Sequence, residues 1–126
     1  MTLLTEEEII RLHGKLIEAT GGADGLRDRG LLSSAVANAY GGFGDVEAYP
    51  STEDKAARLA YALVENHAFV DGNKRIGILV MLMTLKLNHV RISYTQAELT
   101  ELGLSIADGT QKYKEILAWI FSHKAG

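Results

Sequence analysis

The chain has 126 residues, 13 Lys and Arg against 16 Asp and Glu, no Cys and a single Pro. That length favours one domain over residues 1–126, able to bury a core without disulfides or a structural metal. Thiolate chemistry is excluded, and a formal net charge of −3 lacks the basic surplus of a general nucleic-acid binder.

The amino-terminal stretch Met1 to Glu8 has neither the basic start nor the apolar core of a secretory signal. The longest apolar run, Ile76 to Leu85, falls well short of the roughly 20 residues of a membrane span. A cytoplasmic location is therefore expected, with neither DNA nor membrane as partner. Thr5 to Ala19 reads as the first helix: Thr5 and Glu8 form a capping-box pair, Ile9, Leu12, His13, Leu16 and Ile17 recur at helical spacing, and Gly21-Gly22 stops it. Ala23 to Arg29 is a polar loop, and Gly30 to Tyr40 a short helix carrying Leu31, Leu32, Ala35, Val36 and Ala39.

Gly41 to Pro50 is the least helical stretch and reads as an irregular loop or a small β-ribbon. Ser51, with Asp54 in the first turn, caps a third helix whose apolar stripe, Ala56, Leu59, Ala60 and Leu63, continues to His67. After a loop from Ala68 to Gly72, a helix restarts with Asn73 as its cap and runs to Leu87 or Asn88. It is apolar on nearly every face, the mark of a buried central helix. Arg91 to Tyr94 is a short extended connection. Thr95 and Glu98 repeat the capping signal ahead of Leu99, Leu102 and Ile106, and beyond Gly109 a last helix carries Tyr113, Ile116, Leu117, Ile120 and Phe121. The pattern predicts an all-α fold of about six helices around the Asn73 helix, with the Gly41 to Pro50 stretch either an irregular loop or a small β flap.

The loop between the third and fourth helices concentrates the chemistry. Gly72 lets backbone approach an anion, and the first N–H groups of the next helix, those of Lys74, Arg75 and Ile76, lack helical partners. A helix N-terminus of this kind is an anion site, strengthened here by the Lys74 and Arg75 charges. Asp71 beside phosphates has the chemistry of a Mg²⁺ ligand. His67 accepts a proton near neutral pH, and Phe69 is the apolar residue expected to bury and pin the loop. Each has a plainer reading: His67 as a core histidine, Asp71-Gly72 as turn chemistry, Asn73 as a cap only, Lys74 and Arg75 as a solvated face. Elsewhere, His13 reads as a core residue and His123 as solvated. Arg27-Asp28 reads as a structural ion pair or a partner contact.

The nine residues His67-Ala68-Phe69-Val70-Asp71-Gly72-Asn73-Lys74-Arg75 resemble the signature of the Fic/Doc family, matching every defined position of His, any, Phe, any, acid, Gly or Ala, Asn, Gly or Lys, Arg. Gly21-Gly22, Gly25 to Asp28, Gly30 to Leu32, Tyr49-Pro50 and Lys55 to Ala57 are similar to the death-on-curing (Doc) branch. The resemblance implies that His67 is the general base and Asp71 holds Mg²⁺. It implies that Gly72, Asn73, Lys74 and Arg75 cradle the phosphates of ATP, and that Gly41 to Pro50 is a flap aligning the target chain. It implies a toxin held inactive by a separate antitoxin chain and acting on a protein hydroxyl, with elongation factor Tu one such target. Lys74 stands where adenylylating relatives have Gly, and Ile78 where they carry a second Arg. Both departures favour phosphoryl transfer, with the nucleotide in a reversed orientation, over adenylyl transfer. A non-catalytic binding module is the third alternative. The built-in inhibitory motif of some relatives (Ser or Thr, three residues, Glu, then Gly or Asn) does not occur.

Overall fold

The computed structural model describes residues 1–43, 46–47 and 49–126. In chain order it contains α1 (Glu6–Thr20), α2 (Arg29–Tyr40), the two-residue strands β1 (Gly42–Phe43) and β2 (Val46–Glu47), α3 (Thr52–Asn66), α4 (Asn73–Leu87), α5 (Gln96–Ala107) and α6 (Tyr113–Ser122). Among the described residues β1 and β2 pair only with each other, antiparallel, Gly42 opposite Glu47 and Phe43 opposite Val46. The flap expectation over Gly41 to Pro50 also covers Gly44, Asp45 and Ala48, which lie outside the described residues.

The helix starts follow local rules. Thr5, Ser51 and Thr95 each accept from the backbone N–H three residues on, and Glu8, Asp54 and Glu98 reach back to the cap N–H groups. Such reciprocal capping satisfies two of the donors that a helix start leaves open. Asp28 caps α2 alone, accepting from the Leu31 N–H, so that helix begins one residue before the predicted Gly30. The Gly21 N–H closes α1 on the Ile17 carbonyl at 2.7 Å.

α3 and α4 form the axis of the molecule, and two apolar clusters pack on either side of them. One gathers Ile9, Leu32, Val36, Leu59, Leu63, Phe69, Ile76 and Val80 under α1 and α2. The other gathers Ala60, Val64, Met81, Leu85, Leu102, Ile106, Ile116 and Ile120 under α5 and α6. Helix α4 contributes to both, which is why its sequence is apolar on so many faces. The α3–α4 seam is narrow at Gly77. A Cβ there would lie 2.7 Å from Val64 Cγ2 and 3.1 Å from the Ala60 carbonyl oxygen. The side chain could turn away, but the helix backbone could not.

Beyond α4, the predicted extended connection pairs with the chain end. Ser93 N–H donates to the His123 carbonyl and Ala125 N–H to the Arg91 carbonyl. His123 is not solvated as expected. Its ring stacks on Trp119, centroids 3.9 Å apart, with Nδ1 2.7 Å from the Trp119 carbonyl and Nε2 2.6 Å from Glu98 Oε2. A carbonyl and a carboxylate can only accept, so these two contacts favour the protonated ring. The Glu98 hydrogen bond raises His123 above its ordinary 6.5, and the His123 hydrogen bond lowers Glu98 below its ordinary 4.5. Among the described residues, no helix is long and apolar enough to cross a membrane.

Two outcomes follow. Gly77→Val forces α3 and α4 apart and should destabilise the protein by about 2 kcal/mol or more, read from urea unfolding. The raised imidazole stabilises the fold fully below its unfolded value and loses this as pH rises through its folded value, whereas the lowered carboxylate loses its contribution as pH falls. Glu98→Gln should therefore lower the melting temperature more near about pH 6, where the imidazole is charged, than near about pH 9, where the carboxylate keeps only its hydrogen bonds to Thr95.

Candidate active site

The motif turn is built against a neighbouring segment. Phe69 pairs with Leu26 in an antiparallel bridge. The Arg27 and Asp28 N–H groups both donate to the Ala68 carbonyl, at 2.8 and 3.0 Å, and Val70 N–H donates to the Gly25 carbonyl at 3.0 Å. His67, just past α3, has φ 50° and ψ 49°. This left-handed conformation costs a residue with a Cβ roughly 1–2 kcal/mol. The Arg27 guanidinium offsets that strain, donating through Nε (2.8 Å) and Nη2 (2.6 Å) to the His67 carbonyl. Arg27 and Asp28 thus both act structurally, but through the motif backbone and the α2 cap rather than as an ion pair with each other.

Phe69 is buried at 1 % exposure and stacks on the equally buried His13, ring centroids 3.9 Å apart. His13 Nε2 lies 2.7 Å from the Asp71 carbonyl. A carbonyl cannot donate, so this nitrogen carries the proton. Nδ1 faces the Asp24 carboxylate at 3.6 Å. The predicted core histidine is therefore also a strut beneath the turn.

Asn73 departs from its predicted role as a cap. Gly72, at φ 77° and ψ 20°, is the N-cap of α4, and no side chain caps this helix. Asn73 is the first helical residue, and its buried carboxamide turns back into the loop. Oδ1 accepts from the Phe69 N–H at 3.1 Å and Nδ2 donates to the Phe69 carbonyl at 3.0 Å. A side-chain cap was unavailable because Asn73 lies inside the helix and both ends of its amide are engaged. Ile76 is a second correction: its N–H bonds the Gly72 carbonyl at 2.9 Å, the first helical bond. The Gly72 N–H donates to Asp71 Oδ1 at 2.7 Å. Among the described residues, the N–H groups of Asn73, Lys74 and Arg75 have no acceptor.

These groups open onto a cup of about 390 Å³ lined by His67, Val70, Asp71, Gly72, Asn73, Lys74 and Arg75. The His67 side chain is exposed, and neither it nor the Lys74 ammonium has a hydrogen-bond or ion-pair partner among the described residues. Arg75 Nη1 braces the end of α1, donating to Thr20 Oγ1 (2.5 Å) and the Gly21 carbonyl (2.8 Å). Its Nη2 stands 3.8 Å from Asp71 Oδ1. The Asp71 carboxyl is held below the usual carboxylate range by the Ala23 N–H, then by the Gly72 N–H and the nearby Arg75. It is half exposed and ionised at neutral pH, with lone pairs to spare, so it fits one-carboxylate attachment of Mg²⁺ shared with phosphate oxygens. Among the described residues, no three His, Cys, Asp or Glu side chains converge as a self-sufficient metal site.

A larger cleft, lined by Leu82, Met83, Lys86, Arg91 and Ile92 among others, lies at the far end of α4 and shares no residue with the motif. Chemistry, not size, therefore singles out the cup. The family model described as Fic/DOC family matches residues 3–85, two-thirds of the chain, and contains the whole turn, its bracing segment and all but the last two residues of α4. The chain belongs to the Fic/DOC family. Among its Fic/DOC relatives, the protein named Toxin Doc of Mycolicibacterium smegmatis is 40 % identical over 93 residues, covering 74 % of this chain and 70 % of that protein. The protein named Protein kinase doc of Escherichia phage P1 is 29 % identical over 109 residues, covering 86 % and 85 %. The six helices agree with an all-α Fic-type fold.

Of the residues singled out in the sequence, the cup brings together His67, Asp71, Gly72, Asn73, Lys74 and Arg75, while Phe69 lies beneath it. Sequence reasoning did not find the roles of His13, Thr20, Ala23 and Arg27, because each acts through backbone or through a residue more than 35 positions away. Asn73→Ala leaves the buried Phe69 N–H and carbonyl unsatisfied. It should cost about 2 kcal/mol or more in chemical unfolding, with faster amide exchange at Phe69 and Val70 than at core residues of α3.

Proposed function

We propose that this chain is the toxin of a toxin–antitoxin pair and transfers the terminal phosphate of ATP to a Ser or Thr hydroxyl of a target protein. The observation carrying the reading is the union, in one cup, of three unpartnered N–H groups, an uncommitted Lys74 ammonium and an exposed His67. Its two named relatives point the same way, one being called a toxin and the other a protein kinase.

The N-terminus of α4 offers N–H donors and partial positive charge to phosphate oxygens, and Lys74 adds a full charge. Asp71 would hold Mg²⁺, which when bound would neutralise charge on the phosphates. His67, fixed by Arg27 at its carbonyl, takes the proton of the target hydroxyl as the oxygen attacks phosphorus. Positioning and electrostatics of this kind supply most of the catalysis in phosphoryl transfer. Ile78 supports phosphoryl over adenylyl transfer: it is 9 % exposed, on a buried face of α4, and places no second guanidinium there. A translation factor such as elongation factor Tu is the proposed target, and a separate antitoxin chain the proposed inhibitor.

Incubation of the protein with Mg²⁺, ATP labelled at the γ-phosphate and cell lysate, followed by mass spectrometry of the modified protein, tests the reading. The expected adduct is a phosphate on Ser or Thr, and His67→Ala should lower the rate by about 10² or more without changing the fold. An AMP adduct would establish the adenylyl alternative. A His67→Ala protein as active as wild type would refute the general-base assignment.

A further inference from the structure

Two opposite charges in the cup stand close together without neutralising one another. On a helix, an acid four residues ahead of a base favours an ion pair, and Asp71 and Arg75 have that spacing across the start of α4. Yet Arg75 Nη2 stops 3.8 Å from Asp71 Oδ1, beyond hydrogen-bond length. Each group is tied instead to one short segment at the end of α1. We propose that this segment, Thr20 to Ala23, is a spacer that keeps Asp71 and Arg75 from closing on each other, so that both charges stay available to a phosphate chain and its cation, and that Thr20 is its positioning residue. The proposal rests on the phosphate-binding reading of the cup.

The tether on Arg75 is set atom by atom. Thr20 Oγ1 gives its one hydrogen to the Leu16 carbonyl at 2.7 Å, which leaves it an acceptor toward Arg75. Arg75 Nη1 donates to that oxygen at 2.5 Å and to the Gly21 carbonyl at 2.8 Å, so both of its hydrogens are engaged. Helix α1 has no basic residue in its own last turn, and this guanidinium supplies the cation that the carbonyl end of a helix favours. The Nε and Nη2 N–H groups have no hydrogen-bond acceptor among the described residues, and the side chain is 37 % exposed. A guanidinium held through Nη1, with its Nε–Nη2 edge open, is placed to fork onto phosphate oxygens.

The same segment holds the acid. Ala23 N–H donates to Asp71 Oδ2 at 3.2 Å, while Gly72 N–H holds Oδ1 at 2.7 Å. Between the Arg75 and Asp71 contacts runs Gly22, at φ 115°. A Cβ there would lie 2.6 Å from Asp71 Oδ2, 3.1 Å from Arg75 Nη2 and 3.3 Å from Ile17 Cδ1. The end of α1 therefore approaches both charged groups closely only because no side chain intervenes. A closed Asp71–Arg75 pair, half exposed, would itself be weak. It would nevertheless occupy the open guanidinium edge and a carboxylate oxygen, and an incoming phosphate chain would have to break it first.

Titration calorimetry on the whole chain with inorganic tripolyphosphate, with and without Mg²⁺, tests the spacer. Thr20→Val keeps the shape of an exposed side chain and removes the acceptor for Arg75. It should weaken tripolyphosphate by about threefold or more in both conditions while the melting temperature stays close to wild type, and Thr20→Ser should bind within about 1.5-fold of wild type. Without Mg²⁺, the loss caused by Thr20→Val should shrink to within about 1.5-fold when it is made in an Asp71→Asn background, because the carboxylate that captures Arg75 is gone. Thr20→Val binding like wild type, or losing as much in the Asp71→Asn background as alone, would overturn the spacer and leave the cup intact. Wild-type protein that takes no tripolyphosphate in either condition would overturn the cup, and the spacer with it.

Discussion

The carboxamide of Asn73 holds together what the rest of the site depends on. By bonding both backbone groups of Phe69, it closes the turn between α3 and α4 over four residues. Because the side chain is turned back into the loop, it does not cap its own helix, and the N–H groups of Asn73, Lys74 and Arg75 stay open to the cup. One buried amide therefore does two jobs: it satisfies loop groups that would otherwise be costly to bury, and it leaves the helix terminus bare. An oxygen-bearing cap at that terminus would satisfy the donors that an anion needs.

Around this clamp the protein adds braces from distant parts of the chain. His13 supports the Asp71 carbonyl from below, the Gly25 to Asp28 segment pairs along the turn, and Arg27 forks onto the carbonyl of a residue held in a left-handed conformation. Arg75 is anchored at the end of α1 by Thr20 and Gly21. The strain at His67 is thus met by several groups acting together, which is how a sparsely populated backbone conformation persists at a working site. The close α3–α4 contact at Gly77 fixes the two helices whose ends carry the imidazole and the open amides.

Much of this was legible in the sequence where the causes are local. Capping boxes at Thr5, Ser51 and Thr95 rest on residues three apart, and the two-sided apolar pattern of α4 announced its central position. The nine-residue signature located the cup. The orientation of Asn73 was not legible. Its partner is the backbone of a loop whose path is set by pairing with residues some 40 positions earlier, and Asn is also a good capping residue by composition alone. His123 was misread for a related reason: its partners, Trp119 and Glu98, meet it only because the chain end folds back along Arg91 to Ser93. The Arg27 fork likewise arises from packing between elements, which no spacing within one helix encodes.

The pairing of Trp119 with His123 has an optical consequence. Trp119 is the single indole of the chain, and it does not line the cup. With the His123 ring stacked directly on it, its emission is expected to follow the protonation of that ring and so to change with the acidity of the solution.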